Sequence, residues 1–136
     1  MKYFLAKTDP ATYSIDDFAK EKQTTWNGVK NAQAVQALKA MNKGDLVLIY
    51  HSQGEGTIRG YGKVIGNSRL DPKEPRSWLV DFKFISKFDE PYITLKQIKQ
   101  TGLFEDFALV RQGRLSTMEA PLKFILWLKK QGLKIA

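Results

Sequence analysis

The sequence predicts an α+β fold, a small mixed barrel with short helices packed over its openings. Three observations point there. Apolar runs of strand length fill the middle of the chain, short helix-like stretches are interposed between them, and an apolar helical stretch closes it. At 136 residues and 43% hydrophobic side chains, the chain is expected to be one domain, 1–136, able to bury a core without staples.

The elements follow in order. Tyr3 to Lys7 reads as a strand ended by Thr8-Asp9-Pro10, because proline cannot donate to a ladder. Ser14 to Lys20 is a short helix capped by Ser14 or Asp16. Asn31 to Met41 places Ala34, Val35, Leu38 and Met41 on one helical face, and Gly44 suits a left-handed cap. Leu46 to His51 is nearly all apolar, which predicts a strand buried on both faces. Gln53-Gly54-Glu55-Gly56 is a turn signal, and Thr57 to Ile65 returns as the second arm of a hairpin. Gly60 and Gly62 share a face of that arm; the missing side chains leave either a slot for a flat ring or room for a barrel bend.

Asn67 to Ser77 is polar, holds two prolines and reads as a loop. Trp78 to Phe84 alternates, with Trp78, Val80, Phe82 and Phe84 inward. Thr94 to Gln100 is a short helix with Thr94 as cap. Ser116-Thr117-Met118-Glu119 has the spacing of a capping box, which predicts a helix start there. Leu122 to Leu128 is apolar nearly all round, so that helix should be largely buried, with Lys129, Lys130 and Gly132 at its end.

Charge narrows the partners. The 22 Lys+Arg exceed the 14 Asp+Glu for a net +8, which favours a polyanion. The basic residues cluster: four lysines and no acid from Lys22 to Gly44, six basic residues and one acid from Phe107 to Ala136. With no cysteine, disulfides, thiolate metal sites and Cys nucleophiles are excluded. The opening apolar run is too short for a signal peptide and no run is long enough to span a bilayer, so a cytoplasmic protein without membrane contact is expected. A monomer is expected too, although no residue pattern reads out the oligomeric state.

Catalysis has little to stand on. One histidine, His51, rules out a multi-histidine metal site, so no metal or cofactor is expected. The acidic pairs Asp16-Asp17, Asp89-Glu90 and Glu105-Asp106 fall in turns or helix starts, where solvation or capping accounts for them. Gly54 to Gly60 fits neither a Walker A loop nor a dinucleotide fingerprint. A nucleobase-acting enzyme using His51 is the catalytic alternative, and a small-ligand or protein-interaction module the other.

Binding has more to offer. Thr24-Thr25-Trp26-Asn27-Gly28-Val29-Lys30-Asn31 sets one aromatic plane among hydroxyls, a carboxamide, a glycine and a lysine. Readers of single-stranded nucleic acid use these residue types to stack a base, bond its edge and touch a phosphate. Trp26 lies outside any strong apolar period, so it is a candidate platform as well as candidate core; Asn27 and Asn31 suit a base edge or a helix cap. Lys30, Arg111 and Arg114 are candidate phosphate contacts.

The segments Tyr3 to Pro10, Tyr13 to Asp17, Thr25 to Asn31, Gly44 to Ser52, Trp78 to Phe84 and Leu109 to Ser116 together resemble an EVE domain, over nearly the whole chain and in the right order. The resemblance implies a PUA-like pseudobarrel and a non-catalytic role in binding nucleic acid, DNA or RNA, with a modified base such as a methylated one received in a pocket. On matching positions it implies that Trp26, Asn27, Val29, Ser52, Leu115 and Ser116 line that pocket and that Lys30, Arg111 and Arg114 form its rim. The resembling pattern has Asp where Asn27 stands and Arg where Lys30 stands. Asn27 therefore brings a donor beside its acceptor, and Lys30 a point charge in place of a fork. On this reading Trp26→Ala abolishes base-dependent binding and leaves the fold intact.

Overall fold

A computed structural model describes residues 1–136. Its elements run β1 (Tyr3–Thr8), α1 (Ile15–Glu21), β2 (Gln23–Trp26), α2 (Ala32–Ala40), β3 (Leu46–His51), β4 (Thr57–Val64), β5 (Arg69–Leu70), β6 (Trp78–Lys87), β7 (Ile93–Thr94), α3 (Leu95–Gln100), α4 (Ala108–Arg111), β8 (Thr117–Ala120) and α5 (Leu122–Lys130). The main sheet has the order β2-β6-β4-β3-β1-β8, with β7 paired to β4 and β5 to β6. β1 and β3 are parallel; every other pairing is antiparallel.

β2 and β8 are the two free edges, and α2 packs against both β8 and β6. The helix thus bridges one edge strand, β8, to β6 beside the other edge, and so closes the sheet into a pseudobarrel. It can do so because Ala34, Val35 and Leu38 form one buried face, while the Asn31 side chain caps the helix by accepting from the Ala34 N–H at 3.0 Å. Ser14 and Asp17 form a capping box at the start of α1, and Thr94 and Gln97 another at the start of α3. β3 is buried along its whole length, as a strand flanked by β1 and β4 and covered on both faces must be.

The slot at Gly60 and Gly62 is filled from within the fold. A Cβ on Gly60 would lie 2.7 Å from Ile15 Cδ1 and one on Gly62 2.9 Å from the Phe18 ring, so α1 beds its two buried side chains where the glycines are bare. Register shifts at Ile49/Tyr50 and at Tyr61/Gly62 mark the bend.

Three expectations are corrected. Ser116 to Glu119 does not start a helix: Thr117–Ala120 is a strand pairing with β1, Met118 opposite Leu5, and α5 begins only after Pro121. Pairing with β1 buries Thr117 and Met118 and satisfies their backbone, which outweighs a local cap. α5 is not buried all round; Leu122 and Leu126, one turn apart, are 60% and 50% exposed, and Phe124, Ile125 and Leu128 face inward. Within the loop from Asn67 to Ser77, Arg69 and Leu70 pair with Leu79 and Trp78.

Candidate functional site

Trp26 is the last residue of β2 and pairs with Val80 of β6. Its indole is 9% exposed, lies 5.3 Å from the Phe82 ring at 34° and meets Tyr13 edge-on at 6.2 Å. Two rings therefore hold it against the core. What they leave uncovered borders a cavity of about 580 Å³. The other walls come from the end of β1 (Lys7, Thr8), the turn after it (Asp9, Thr12, Tyr13), Glu21 at the end of α1, Thr24 and Thr25 of β2, residues 27–30, and Ser116 just before β8. The cavity thus occupies the seam between the two edge strands.

Most of its polar groups are already engaged. Tyr13 donates to Glu21 Oε1 at 2.5 Å, and burial together with this bond pushes its phenol up to about 12, so it remains a donor at neutral pH. Thr8 donates its hydroxyl to the Tyr13 carbonyl at 2.7 Å and Thr25 donates to Asp81 at 2.7 Å. Burial works to raise the Asp81 carboxyl, but the bonds from Thr25 and Arg69 outweigh it and hold it below the ordinary value. These contacts set the walls in place. In contrast, the Asn27 carboxamide and the backbone N–H groups of Asn27, Gly28, Val29 and Lys30 make no hydrogen bond within the chain. Gly28 has φ +76°, a conformation that side chains rarely adopt, so glycine is what lets the segment turn here. The segment offers free donors and one free carboxamide beside an indole.

Lys7 and Lys30 supply the charge. Lys30 is exposed and 3.9 Å from Glu74. Lys7 donates to the Gly113 carbonyl at 2.9 Å and lies 5.5 Å from the Tyr50 ring centroid; burial holds its ammonium below the usual lysine range.

Of the residues expected from sequence, Trp26, Asn27, Val29, Lys30 and Ser116 come together on this cavity. Ser52 does not line it; its hydroxyl donates to the Thr8 carbonyl at 3.2 Å on the other side of β1's end. Leu115 does not line it either; it is 4% exposed and packs in the core, one residue short of the wall. Arg111 and Arg114 are exposed and stand off the cavity, joined to it through the Lys7–Gly113 bond between them. Sequence reasoning missed Lys7, Thr8, Tyr13 and Glu21, whose only signal was membership of segments read as strand, turn and helix.

His51 is buried, and its Nε2 accepts the Ile15 N–H at 2.9 Å. The lone pair a general base would use is thereby occupied. Burial lowers the imidazole below its ordinary 6.5, Arg59 adds to the effect and Asp16 opposes it. The folded chain refuses a proton that the unfolded chain accepts, so this contribution to stability is full above 6.5 and is lost as pH falls below it. The expected result is a melting temperature that drops more steeply on acidification in the wild type than in His51→Gln, measured from pH about 7.5 to about 5. Equal slopes would remove His51 as the cause.

Sheet order, helix clasp and seam cavity together define a PUA-like α+β domain. Residues 2–130 match the EVE domain, and the chain belongs to the EVE domain family. Human thymocyte nuclear protein 1 is 30% identical over 149 residues, covering 84% of this chain and 66% of the human protein. The chain spans only 51% of the chicken protein of that name. A solved structure of a protein from Pseudomonas syringae superposes with TM-score 0.87 at 28% identity, covering 96% of this chain and 99% of that one. Human THYN1 in complex with 5-methylcytosine containing DNA superposes with TM-score 0.85 over 100% of both chains; at 21% identity this likeness speaks for the fold. No helix of the chain is long and apolar enough to cross a membrane.

Proposed function

We propose that this chain binds nucleic acid without acting on it chemically, and that it takes one splayed-out base into the seam cavity. One observation carries the reading: an indole fixed by Phe82 and Tyr13 borders a cavity of about 580 Å³ whose other walls offer unengaged donors, a carboxamide and two lysines. That volume falls within the range of about 300–1,000 Å³ of small-ligand pockets. The base lies against Trp26, Asn27 bonds its Watson–Crick edge, Val29 receives a methyl or similar group, and Lys7 and Lys30 hold flanking phosphates. The human relative crystallised with 5-methylcytosine containing DNA supports the same partner and a modified base. Single-stranded or damaged sites bind more readily than intact duplex, because extruding a paired base costs a few kcal/mol. A monomer in the cytoplasm, binding DNA or RNA, completes the reading.

The test is an array of modified and unmodified oligonucleotides probed at two salt concentrations. Binding is expected to depend on the base and to weaken steeply with salt. Lys30→Ala is expected to weaken all sequences alike and to flatten the log–log salt slope by about 0.7–0.9, the contribution of one phosphate contact. Salt-independent capture of a neutral metabolite in place of oligonucleotides would overturn the reading.

A further inference from the structure

The base-binding reading leaves a second cavity unused. It measures about 510 Å³ and shares a wall with the first. Along the turn from Thr8 to Ser14, Thr8, Asp9, Thr12 and Tyr13 line the first cavity, whereas Pro10 and Ser14 line the second. The two are also neighbours across the sheet, since Thr8 of the first is the register partner of His51 of the second. One register pair thus carries a lining residue of each cavity.

The second cavity presents donors. Arg59 lies over Tyr92, its guanidinium carbon 3.8 Å from the ring centroid, and its Nε donates to Thr57 Oγ1 at 3.0 Å. Stacking and this bond fix the fork, and its terminal N–H groups meet no carboxylate. The nearby Asp16 is taken by Lys87 at 2.7 Å. His51 contributes a second donor. Because Nε2 accepts from Ile15, a neutral imidazole carries its proton on Nδ1. That N–H has no partner within the chain, yet no buried side-chain polar atom is left unsatisfied, so it opens onto the cavity. A planar guanidinium beside an N–H donor suits the two free oxygens of a phosphate. Glu55, also on the cavity wall and free of any ion pair, repels any anion there, a singly charged diester less than a doubly charged phosphate.

We propose that this cavity is a second subsite, in which Arg59 and the His51 Nδ1–H hold the phosphodiester next to the nucleotide received at Trp26. The inference rests on the nucleic-acid reading above.

The experiment measures binding of a short single-stranded oligonucleotide across a salt series in wild type, Arg59→Ala and Arg59→Lys, with thermal melting of each variant to confirm folding. Arg59→Ala is expected to weaken binding about tenfold and to flatten the salt slope by about 0.7, while the preference for a modified over an unmodified base is unchanged. Arg59→Lys is expected to recover the slope and only part of the affinity, because an ammonium lacks the fork. Wild-type affinity and slope in Arg59→Ala would overturn the subsite and leave the base-binding reading standing. So would occupation of the site by inorganic phosphate alone with no effect of Arg59 on the oligonucleotide. If wild type binds no oligonucleotide at low salt, both readings fall.

Discussion

Trp26→Ala is expected to abolish base-dependent binding and, in the same step, to cost the fold about 3–5 kcal/mol. The first half follows from stacking, worth about 1–3 kcal/mol per base on an aromatic platform. The second half corrects the sequence-based expectation of an intact fold. The indole is 9% exposed and packs on Phe82 and Tyr13, so alanine leaves a void in the core as well as an empty platform. Trp26→Leu separates the two effects. Leucine keeps apolar volume over Phe82 but offers no flat face. Its urea midpoint should fall less than that of the alanine variant, while discrimination between modified and unmodified oligonucleotides is lost to the same degree. Discrimination surviving in Trp26→Leu would show that the indole is core alone and that the base is read elsewhere.

Gly62→Ala is expected to destabilise the protein by about 1–3 kcal/mol and to disturb the cavity from a distance. A Cβ at this position would lie 2.7 Å from the Lys83 carbonyl of β6 and 2.9 Å from the Phe18 ring. The carbonyl is part of a sheet and cannot turn aside, so Phe18 and α1 must move outward. Glu21 ends that helix and holds Tyr13, and both line the cavity. Loss of stability should therefore come with weaker oligonucleotide binding, although Gly62 touches no wall. Gly113→Ala is the control: its Cβ meets nothing within 4 Å, and the urea midpoint should be unchanged. An unaltered midpoint in Gly62→Ala would mean that α1 is not seated on the glycines.

Legibility in the sequence followed the range of the forces involved. Elements fixed by local pattern were readable: the apolar face and Asn31 cap of α2, the uninterrupted apolar run of β3, the alternation through Val80 and Phe82, and the caps at Ser14 and Thr94. Thr117–Ala120 was misread because its Ser-x-x-Glu spacing is a local signal, whereas its strand state comes from a partner more than a hundred residues away. The site divided the same way. Trp26, Asn27, Val29 and Lys30 were legible as one contiguous polar segment around an aromatic ring. Lys7, Tyr13 and Glu21 were not, because only the crossing of β1, α1 and β2 brings them to that ring. Ser52 was misplaced for a similar reason: it follows the buried β3, and its hydroxyl is spent on the Thr8 carbonyl, facing the Arg59 side of the turn.

The seam has a further consequence. Nearly every group that meets the cavity stands at the tip of a strand, in a turn, or on the outermost strand, where exchanging a side chain breaks no hydrogen bond between inner strands. The lining can therefore be altered by substitutions at a handful of peripheral positions that leave the inner framework as it is. Trp26 is the exception, being at once part of the packed framework and the ring that borders the cavity, so that truncation there costs folding where truncation elsewhere on the walls does not.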